Sequence, residues 1–445
     1  MGRRCRRPRR RDSVRGGAQV DSVPLGARRR GATHGSGPNH LSDDFELVAE
    51  TFRRFAEDKI RPVAEHVHRT NGDVPEEIIS GLAELGGFGL SVPEEYEGFA
   101  QGGEHDYMGM VVATEELSRG SLGIGGSLVT RPEILTRALV GGGTEEQKST
   151  WLPRVASGEV MVGIMATEPD YGSDVAGVKV TATRTDDGWL INGVKTWATF
   201  AGRANVLMVL ARTDPDRTKG HRGLSVLIVE KEPVGGHSFA FTQESGGRME
   251  GRAIDTIGYR GMHSFEVAFE DWLVPAENLI GLDEGLGRGF YLQMAGFENG
   301  RLQTAARAVG LMQAAFEAGL DYAQNRVVFG SPVFDYQLSK VKLARMAALI
   351  QGGRQFSYAV ARLMGNGHGS LEASMVKAQV CRAAEWVTRE SLQLHGGMGY
   401  AEEFPVSRYY VDARVLSIFE GADETLCLRV IARRLAEQAL ERSGA

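Results

Sequence analysis

The densest cluster of polar side chains in the sequence is MATEPDYGSD, Met165–Asp174. Its hydroxyls and carboxylates could hydrogen-bond a ligand, although its proline and glycine are also typical of an ordinary turn. The cysteines, Cys5, Cys381 and Cys427, lie far apart and lack metal-ligand spacing, which argues against a zinc site and a disulfide framework. We therefore expect no metal centre and a reducing compartment.

Several familiar catalytic motifs are missing from the sequence. It contains no GxSxG, HExxH, Walker A or EF-hand pattern, so the commonest hydrolase, zinc protease and phosphate-loop functions lack their residues. Glycine is abundant, with 58 residues, yet no GxGxxG follows a strand and opens a helix. If the protein binds a nucleotide cofactor, it does so without the usual dinucleotide fingerprint.

Composition indicates a large soluble protein with an unusual first segment. The 445 residues are 42% hydrophobic, and no apolar run approaches the roughly 20 residues that cross a bilayer. Residues 1–40 hold eleven arginines and two aspartates, a charge of +9. Because the whole chain has a net charge of −6, the remaining residues carry −15. An acidic body argues against nucleic-acid binding.

Residues 1–40 lack apolar periodicity, which predicts a disordered, arginine-rich extension. Three explanations remain open: a translation start placed too far upstream, an organelle transit peptide, or a tail that binds polyanions. The arginines occur in blocks, which favours an untargeted tail or a misplaced start. We therefore expect a cytoplasmic protein, or a mitochondrial matrix protein if the source is eukaryotic and the segment is a transit peptide.

Three regions follow the extension, and they must position any site. Residues 41–160 show helical periodicity, with helices at Pro75–Leu85 and around Tyr107–Leu117. Residues 161–282 contain short β-branched runs, and both Asp187-Gly188 and Asn192-Gly193 predict hairpin turns. This pattern predicts an antiparallel, barrel-like middle domain.

Residues 283–445 return to the helical period, with a long apolar face after Gly289. Further helices are predicted at Asp335–Met364, Leu371–Leu394 and Asp423–Ala439, as in a four-helix bundle. The predicted fold class is α+β, with a helical N-terminal domain, a β domain and a helical C-terminal domain.

Six motifs in this order resemble those of the acyl-CoA dehydrogenase family. Besides MATEPDYGSD they are KTWAT (195–199), FENGR (297–301), NRVVFG (325–330), QLHGGMGY (393–400) and FEGADE (419–424). The resemblance runs from about Leu41 to Leu435. TEELSRG, IGYRGM and GRLQTAARAVG further resemble the branch that contains (2S)-methylsuccinyl-CoA dehydrogenases.

The resemblance implies an FAD cofactor. It places Thr167, Gly172 and Ser173 on the flavin, with Ser173 also reaching the CoA arm, and Trp197 and Thr199 on another face. FEGADE departs from the common EGT pattern, so Ala422 and Glu424 would contact FAD mainly through backbone atoms. The positions that reach the FAD of a neighbouring subunit, implying an obligate oligomer, are Arg326, Phe329, Gln337, Gln393, Gly396 and Gly397.

The resemblance also assigns the catalytic base to Glu420. This carboxylate would take the α-proton of an acyl-CoA thioester, while hydride leaves the β carbon for flavin N5. Some relatives place the base immediately before the arginine of FENGR, but this chain has Gly300 there. The alternative is that Glu420 only caps the following helix.

The resemblance implies that Ser173, Glu298, Arg301 and Gly421 contact the substrate, with Arg301 orienting it. Arg131 has two possible roles. It could point inward and pair with the distal carboxylate of a dicarboxylyl thioester, or it could be an ordinary solvated arginine, which is the commoner case.

The implied function is FAD-dependent α,β-dehydrogenation of a short, branched or dicarboxylic acyl-CoA, best described as methylsuccinyl-CoA to mesaconyl-CoA. The alternatives are a monocarboxylic short- or branched-chain dehydrogenase and an acyl-CoA oxidase. The expected partners are electron-transfer flavoprotein and further copies of the chain, as a homotetramer or else a dimer. Neither nucleic acid nor a membrane is expected as a partner.

Overall fold

The computed structural model describes residues 41–443, so the predicted disorder of residues 1–40 lies outside the described residues. The described chain consists of helices, then a β-sheet, then helices, which confirms the predicted fold class. Across these residues, no helix has the length and hydrophobicity needed to cross a membrane.

The first helical region packs around a buried central helix, α4, whose side chains contribute to two hydrophobic cores. Thr144 and Gln147 form a reciprocal capping box at the start of α6, which satisfies amide groups that a helix end leaves unpaired. The helices are α1 (Asp43–Phe55), α2 (Arg61–Thr70), α3 (Glu76–Glu84), α4 (Glu104–Gly120), α5 (Thr130–Gly142) and α6 (Glu145–Ala156).

The middle region forms one sheet in the order β1-β4-β2-β3-β8-β7-β6, and β5 pairs with the other edge of β4. Most pairs are antiparallel, as predicted, but β1 and β2 both lie parallel to β4. The strands are β1 (Val162–Met165), β2 (Thr181–Thr185), β3 (Gly188–Thr199), β4 (Val206–Arg212), β5 (Leu224–Glu230), β6 (Ser238–Thr242), β7 (Arg248–Ile254) and β8 (Ser264–Val274).

One of the two predicted hairpin turns is wrong. Gly188 begins β3 directly after the tight turn from β2, as expected. Asn192-Gly193 instead lies inside β3, where the register against β8 shifts between Ile191 and Gly193. Gly193 has a φ of 126° and a Cβ there would meet Val180, so the glycine supports a β-bulge.

The last region is built around α8, a 37-residue helix that packs against α4, α5, α9 and α10. The predicted helices at 335–364, 371–394 and 423–439 are confirmed, although the last contains a π-helical segment, Leu426–Ile431. The elements are α7 (Leu282–Gly285), α8 (Gly289–Asn325), β9 (Val327–Val328), β10 (Ser331–Pro332), α9 (Gln337–Gly365), α10 (Ser370–His395), α11 (Gly397–Tyr400), α12 (Val406–Leu416), α13 (Asp423–Thr425) and α14 (Ala432–Ser443).

Candidate active site

Glu420 lies in the short turn between α12 and α13. Its φ is 53°, a left-handed conformation that costs a non-glycine residue about 1–3 kcal/mol. The following Gly421 has a φ of 96°, and its carbonyl accepts a hydrogen bond from Lys377 Nζ at 2.6 Å. The Asp423 amide donates to the Ser417 carbonyl at 3.1 Å. The turn is therefore fixed on both sides of the glutamate.

The Glu420 side chain points into the protein. Its exposed fraction is 4%, and Oε2 is buried without a hydrogen-bond partner among residues 41–443. A buried polar atom without a partner costs free energy unless a ligand or water satisfies it. The carboxylate is thus placed to act on a group bound beside it, and it does not cap a helix.

Arg131, near the start of α5, forms an ion pair with the Glu420 carboxylate. Its Nη1 lies 3.6 Å from Glu420 Oε1, and its side chain is 7% exposed. Nη2 donates to the Tyr259 hydroxyl at 3.1 Å, while Nε is buried without a partner in the described chain. Arg131 therefore points inward, and the interpretation as a solvated surface arginine is wrong.

Gly300 in α8 faces Glu420 from the opposite side. A Cβ at this position would lie 2.8 Å from Oε2 of Glu420, closer than real contacts allow. Glycine therefore leaves the space that the Glu420 carboxylate occupies. The two base positions known from the resemblance are adjacent here, and only Glu420 can supply a carboxylate.

Buried polar side chains continue inward from Glu420. Arg307, fully buried on α8, stacks over the Phe419 ring at 4.8 Å and donates to Thr304 Oγ1 at 2.7 Å. Glu133 on α5 is also buried, with Arg137 Nη2 at 3.9 Å. Burial raises the pKa of Glu133 to about 7, while the nearby charges of Arg137 and Arg307 act in the opposite direction. This interior is polar and charged, which suits a polar acyl group better than a long alkyl chain.

The MATEPDYGSD segment is a loop after β1 that a buried ion pair holds in place. Lys195 Nζ lies 2.9 Å from Glu168 Oε1 and donates to the Ala166 carbonyl at 3.1 Å. Glu168 Oε2 accepts the Lys179 amide at 2.7 Å. Burial lowers the pKa of Lys195 to about 8, although Glu168 opposes that shift. Two charged residues of the recognised motifs are thus positioning residues.

The structure brings the loop together with β3. The Thr196 amide donates to the Thr167 carbonyl at 2.9 Å, and the Thr199 hydroxyl contacts the Ser264 hydroxyl at 3.0 Å. Thr199 is buried, whereas Trp197 is 55% exposed on a strand and has a φ of 56°. An exposed, strained indole beside the loop is a surface on which a flat ring could stack.

The loop also meets the turn that carries Glu420. Thr425 Oγ1 donates to Ser173 Oγ at 3.0 Å, which joins residues far apart in sequence. Ala422 is the N-cap residue of α13 and is half-buried, and Glu424 within α13 is exposed. Ser173 therefore borders the turn that carries Glu420.

Glu298 and Arg301 lie on α8 near the start of α10. Glu298 Oε1 accepts a hydrogen bond from Ser370 at 2.7 Å, and Arg301 Nη1 donates to Ser374 at 3.3 Å. Arg301 Nε is buried and unpartnered in residues 41–443. The pair thus stands beside the Glu420 region, and Arg301 retains an unused donor.

The remaining predicted cofactor residues lie elsewhere, on the exposed ends of the C-terminal helices. Phe329, in the turn between β9 and β10, is 99% exposed and has a φ of 49°. The others are also exposed, and within one chain they do not join the Glu420 region: Arg326, Gln337, Gln393, Gly396 and Gly397. A second subunit would be needed to complete a shared site.

Three of the predicted glycines border open space. A Cβ added at Gly172, Gly396 or Gly397 would meet nothing within 4 Å. The backbone at Gly396, with a φ of 59° and a ψ of −133°, requires glycine. The backbone conformations at Gly172 and Gly397 do not require it. Open space at glycines that packing does not require fits a bound group approaching the backbone. The residues present therefore fit FAD.

Sequence reasoning missed Lys377, Tyr259, Arg307 and Glu133. Lys377 and Arg307 lie on helix faces that are otherwise mostly apolar. Lys377, for example, lies between the buried residues Ala373 and Cys381. A charged residue on a buried stripe is the signal that could have found them.

Models of the N-terminal, middle and C-terminal domains of acyl-CoA dehydrogenases match residues 42–159, 163–272 and 287–436. The chain belongs to the acyl-CoA dehydrogenase family, enzymes that oxidise CH–CH bonds and generally use FAD. This confirms the resemblance.

Individual relatives refine the comparison. The chain is 42% identical over 402 residues to (2S)-methylsuccinyl-CoA dehydrogenase of Cereibacter sphaeroides, covering 90% of this chain and 71% of that protein. A glutaryl-coenzyme A dehydrogenase in complex with glutaryl-CoA matches with a TM-score of 0.81 and 29% identity, over 91% of this chain and 96% of that one. Glutaryl-CoA dehydrogenase of Mycobacterium smegmatis with FADH2 matches with a TM-score of 0.77 and 26% identity, over 89% and 95% of the chains.

Proposed function

We propose that this acyl-CoA dehydrogenase oxidises (2S)-methylsuccinyl-CoA to mesaconyl-CoA. The observation that carries the proposal is the buried Arg131, 3.6 Å from Glu420 and with Nε unpartnered in the described structure. The name of the bacterial relative at 42% identity supports the same substrate.

Glu420 acts as the base. Its buried, unpartnered Oε2 accepts the α-proton of the thioester, and the carboxylate becomes a neutral carboxylic acid. FAD, when bound, supplies the acceptor for the β-hydrogen and its electron pair. The bond between Lys377 and the Gly421 carbonyl holds the turn, so that the backbone amides beside Glu420 can orient the thioester oxygen.

The position of Arg131 relative to the base favours a short diacid. In a succinyl-type thioester the distal carboxyl group is bonded to the β carbon, next to the carbon that loses its proton. Its binding cation must therefore lie close to the base, as Arg131 does. Each added methylene would carry the carboxylate farther from Glu420, so a glutaryl chain fits this arrangement less well.

The test compares substrates in Arg131→Met. Losing the buried pairing should raise KM for methylsuccinyl-CoA at least ~30-fold and leave KM for butyryl-CoA within about twofold. Arg362→Met, at an exposed arginine on α9 paired with Glu104, is the control and should change neither value. An equal increase in KM for both substrates would show that Arg131 does not read the distal carboxylate.

The shared FAD site and the electron acceptor are part of the proposal. The exposed residues around Phe329 and Gly396 would contact the FAD of a second subunit, which supports a homo-oligomer, with a tetramer as the preferred form. We propose electron-transfer flavoprotein as the acceptor. Anaerobically reduced enzyme should then be reoxidised faster by that protein than by O₂, whereas rapid peroxide release in air would identify an oxidase.

A further inference from the structure

A second cluster of reactive side chains lies apart from the Glu420 region. Asp73, His237 and His263 each offer a ligand atom, and these atoms lie within 4.8 Å of one another. Asp73 follows α2, His237 precedes β6, and His263 precedes β8. The cluster therefore draws on the N-terminal helical region and two loops of the sheet.

Hydrogen bonds determine which atoms are available. His237 Nε2 lies 2.9 Å from the Asn71 carbonyl, and because a carbonyl oxygen only accepts, Nε2 carries the proton. A neutral His237 then presents the lone pair of Nδ1. Ligand histidines in metalloproteins commonly donate their second nitrogen to a carbonyl in this way.

The carboxylate is held in a similar manner. Asp73 Oδ2 accepts the Gly236 amide at 2.6 Å, and Oδ1 accepts a hydrogen bond from His263 Nε2 at 2.9 Å, whose proton a bound metal ion would displace. The rings of His237 and His263 meet edge to face, with centroids 4.4 Å apart. Three ligand groups thus converge, and backbone groups hold two of them, Asp73 and His237.

The surroundings leave room for an ion and compete little for it. A cavity of about 30 Å³, enough for an ion or one water, borders Asp73, Gly236 and His263, while His237 lies just outside its lining. Arg203 is paired with Glu76 at 2.5 and 2.8 Å, and Arg260 donates to the His68 carbonyl at 2.8 Å.

We propose that Asp73, His237 and His263 form a binding site for a divalent transition-metal ion of the Zn²⁺ type. Two imidazoles and one carboxylate suit Zn²⁺ or Co²⁺ better than Ca²⁺ or Mg²⁺, which prefer oxygen ligands. Asp73 and His237 are exposed, so water can complete the coordination. The ion would clamp the loop after α2 to the sheet.

The test uses the untagged, full-length protein after treatment with a chelator. Titration with ZnSO4 by calorimetry should show one ion per chain, and Co²⁺ should give visible ligand-field bands. His237→Gln and Asp73→Asn should each weaken Zn²⁺ binding at least ~10-fold. Added Zn²⁺ should raise the Tm of the parent protein and not that of His237→Gln.

Two controls decide the outcome. His368→Gln, at an exposed histidine, should bind like the parent, and so should a His34→Gln/His40→Gln variant that removes histidines of the N-terminal extension. Because His237 is exposed, its variant should fold normally, as circular dichroism will show. Unchanged Zn²⁺ affinity in His237→Gln, or no binding by the parent, would overturn the proposal.

Discussion

Glu420 combines a left-handed backbone with a buried carboxylate whose Oε2 has no hydrogen-bond partner in the described residues. Both features cost stability, and both place Oε2 beside the space left by Gly300. Such costs concentrate at functional sites, where they are tolerated because they orient a reacting group.

Glu420→Gln should slow anaerobic flavin reduction by methylsuccinyl-CoA ~10²- to 10⁴-fold, because the amide cannot accept the α-proton. Binding of the CoA ester, measured by perturbation of the flavin spectrum, should persist. Glu402→Gln, at an exposed glutamate outside the predicted site, should remain near the parental rate. Rapid bleaching in Glu420→Gln would place the base elsewhere.

Glu133 should make stability depend on pH. Burial raises its pKa from 4.5 to about 7, so folding favours the protonated form. The stability from this group is fully present below pH 4.5 and is lost as pH rises through 7. The difference in free energy of unfolding between Glu133→Gln and the parent should therefore increase in favour of the variant from pH 4.5 to about 7 and stay constant at higher pH.

Denaturant unfolding at several pH values measures that difference. Glu284→Gln, at an exposed glutamate, serves as the matched control and should follow the parent at each pH. A pH-independent gap between Glu133→Gln and the parent would mean that Glu133 is already ionised when buried.

At the scale of single residues, the resemblance to the family identified Glu420, whereas helical periodicity gave no indication of it. The sequence alone did not decide whether the Arg131 side chain points inward or into solvent. Its orientation depends on contacts with Tyr259 and Glu420, which lie 128 residues or more away in sequence. Arg307 and Glu133 were missed because a helical pattern records which face is apolar, not which charges are enclosed within it.

Among the elements, α8 carries the strongest functional constraint, because it supplies Gly300, Arg301 and Arg307. Gly300→Ala should place a methyl group on the Glu420 carboxylate and lower kcat, yet alanine favours a helix over glycine by up to ~1 kcal/mol. We expect activity to fall while Tm is unchanged or higher.

Gly352→Ala in α9 is the matched control for that variant. A Cβ there meets nothing within 4 Å, so it should raise Tm slightly and leave kcat unchanged. Unfolding assays and steady-state kinetics on both variants separate helix stability from catalysis. Full activity in Gly300→Ala would show that the carboxylate has room to move.

Helices were predicted within a few residues from local periodicity, as at Gln337–Gly365 and Ser370–His395. The Asn192-Gly193 turn failed for a physical reason. An Asn-Gly dipeptide suits both a hairpin turn and a β-bulge. Which of the two forms depends on the pairing with β8, where Phe269 is the partner of Gly193 and lies far from it in sequence. The parallel pairing of β1 with β4 is likewise a long-range feature.

For the whole molecule, the exposed residues at the C-terminal helix ends predict that cofactor retention and assembly are linked. Arg326→Ala should lower the FAD content after gel filtration and shift the protein toward smaller species, because the arginine would no longer counter pyrophosphate charge. Arg345→Ala, at another exposed arginine, should retain FAD. Flavin absorbance relative to protein, with light scattering, measures both effects.

Gly300 and Glu420 also constrain how this enzyme could have diverged from relatives with the base on the earlier helix. With a glutamate at 420, even a methyl group at 300 overlaps the carboxylate at 2.8 Å. A side chain at 300 and the present orientation of Glu420 therefore exclude each other, so moving the base to α8 would require the Glu420 side chain to move aside or be shortened.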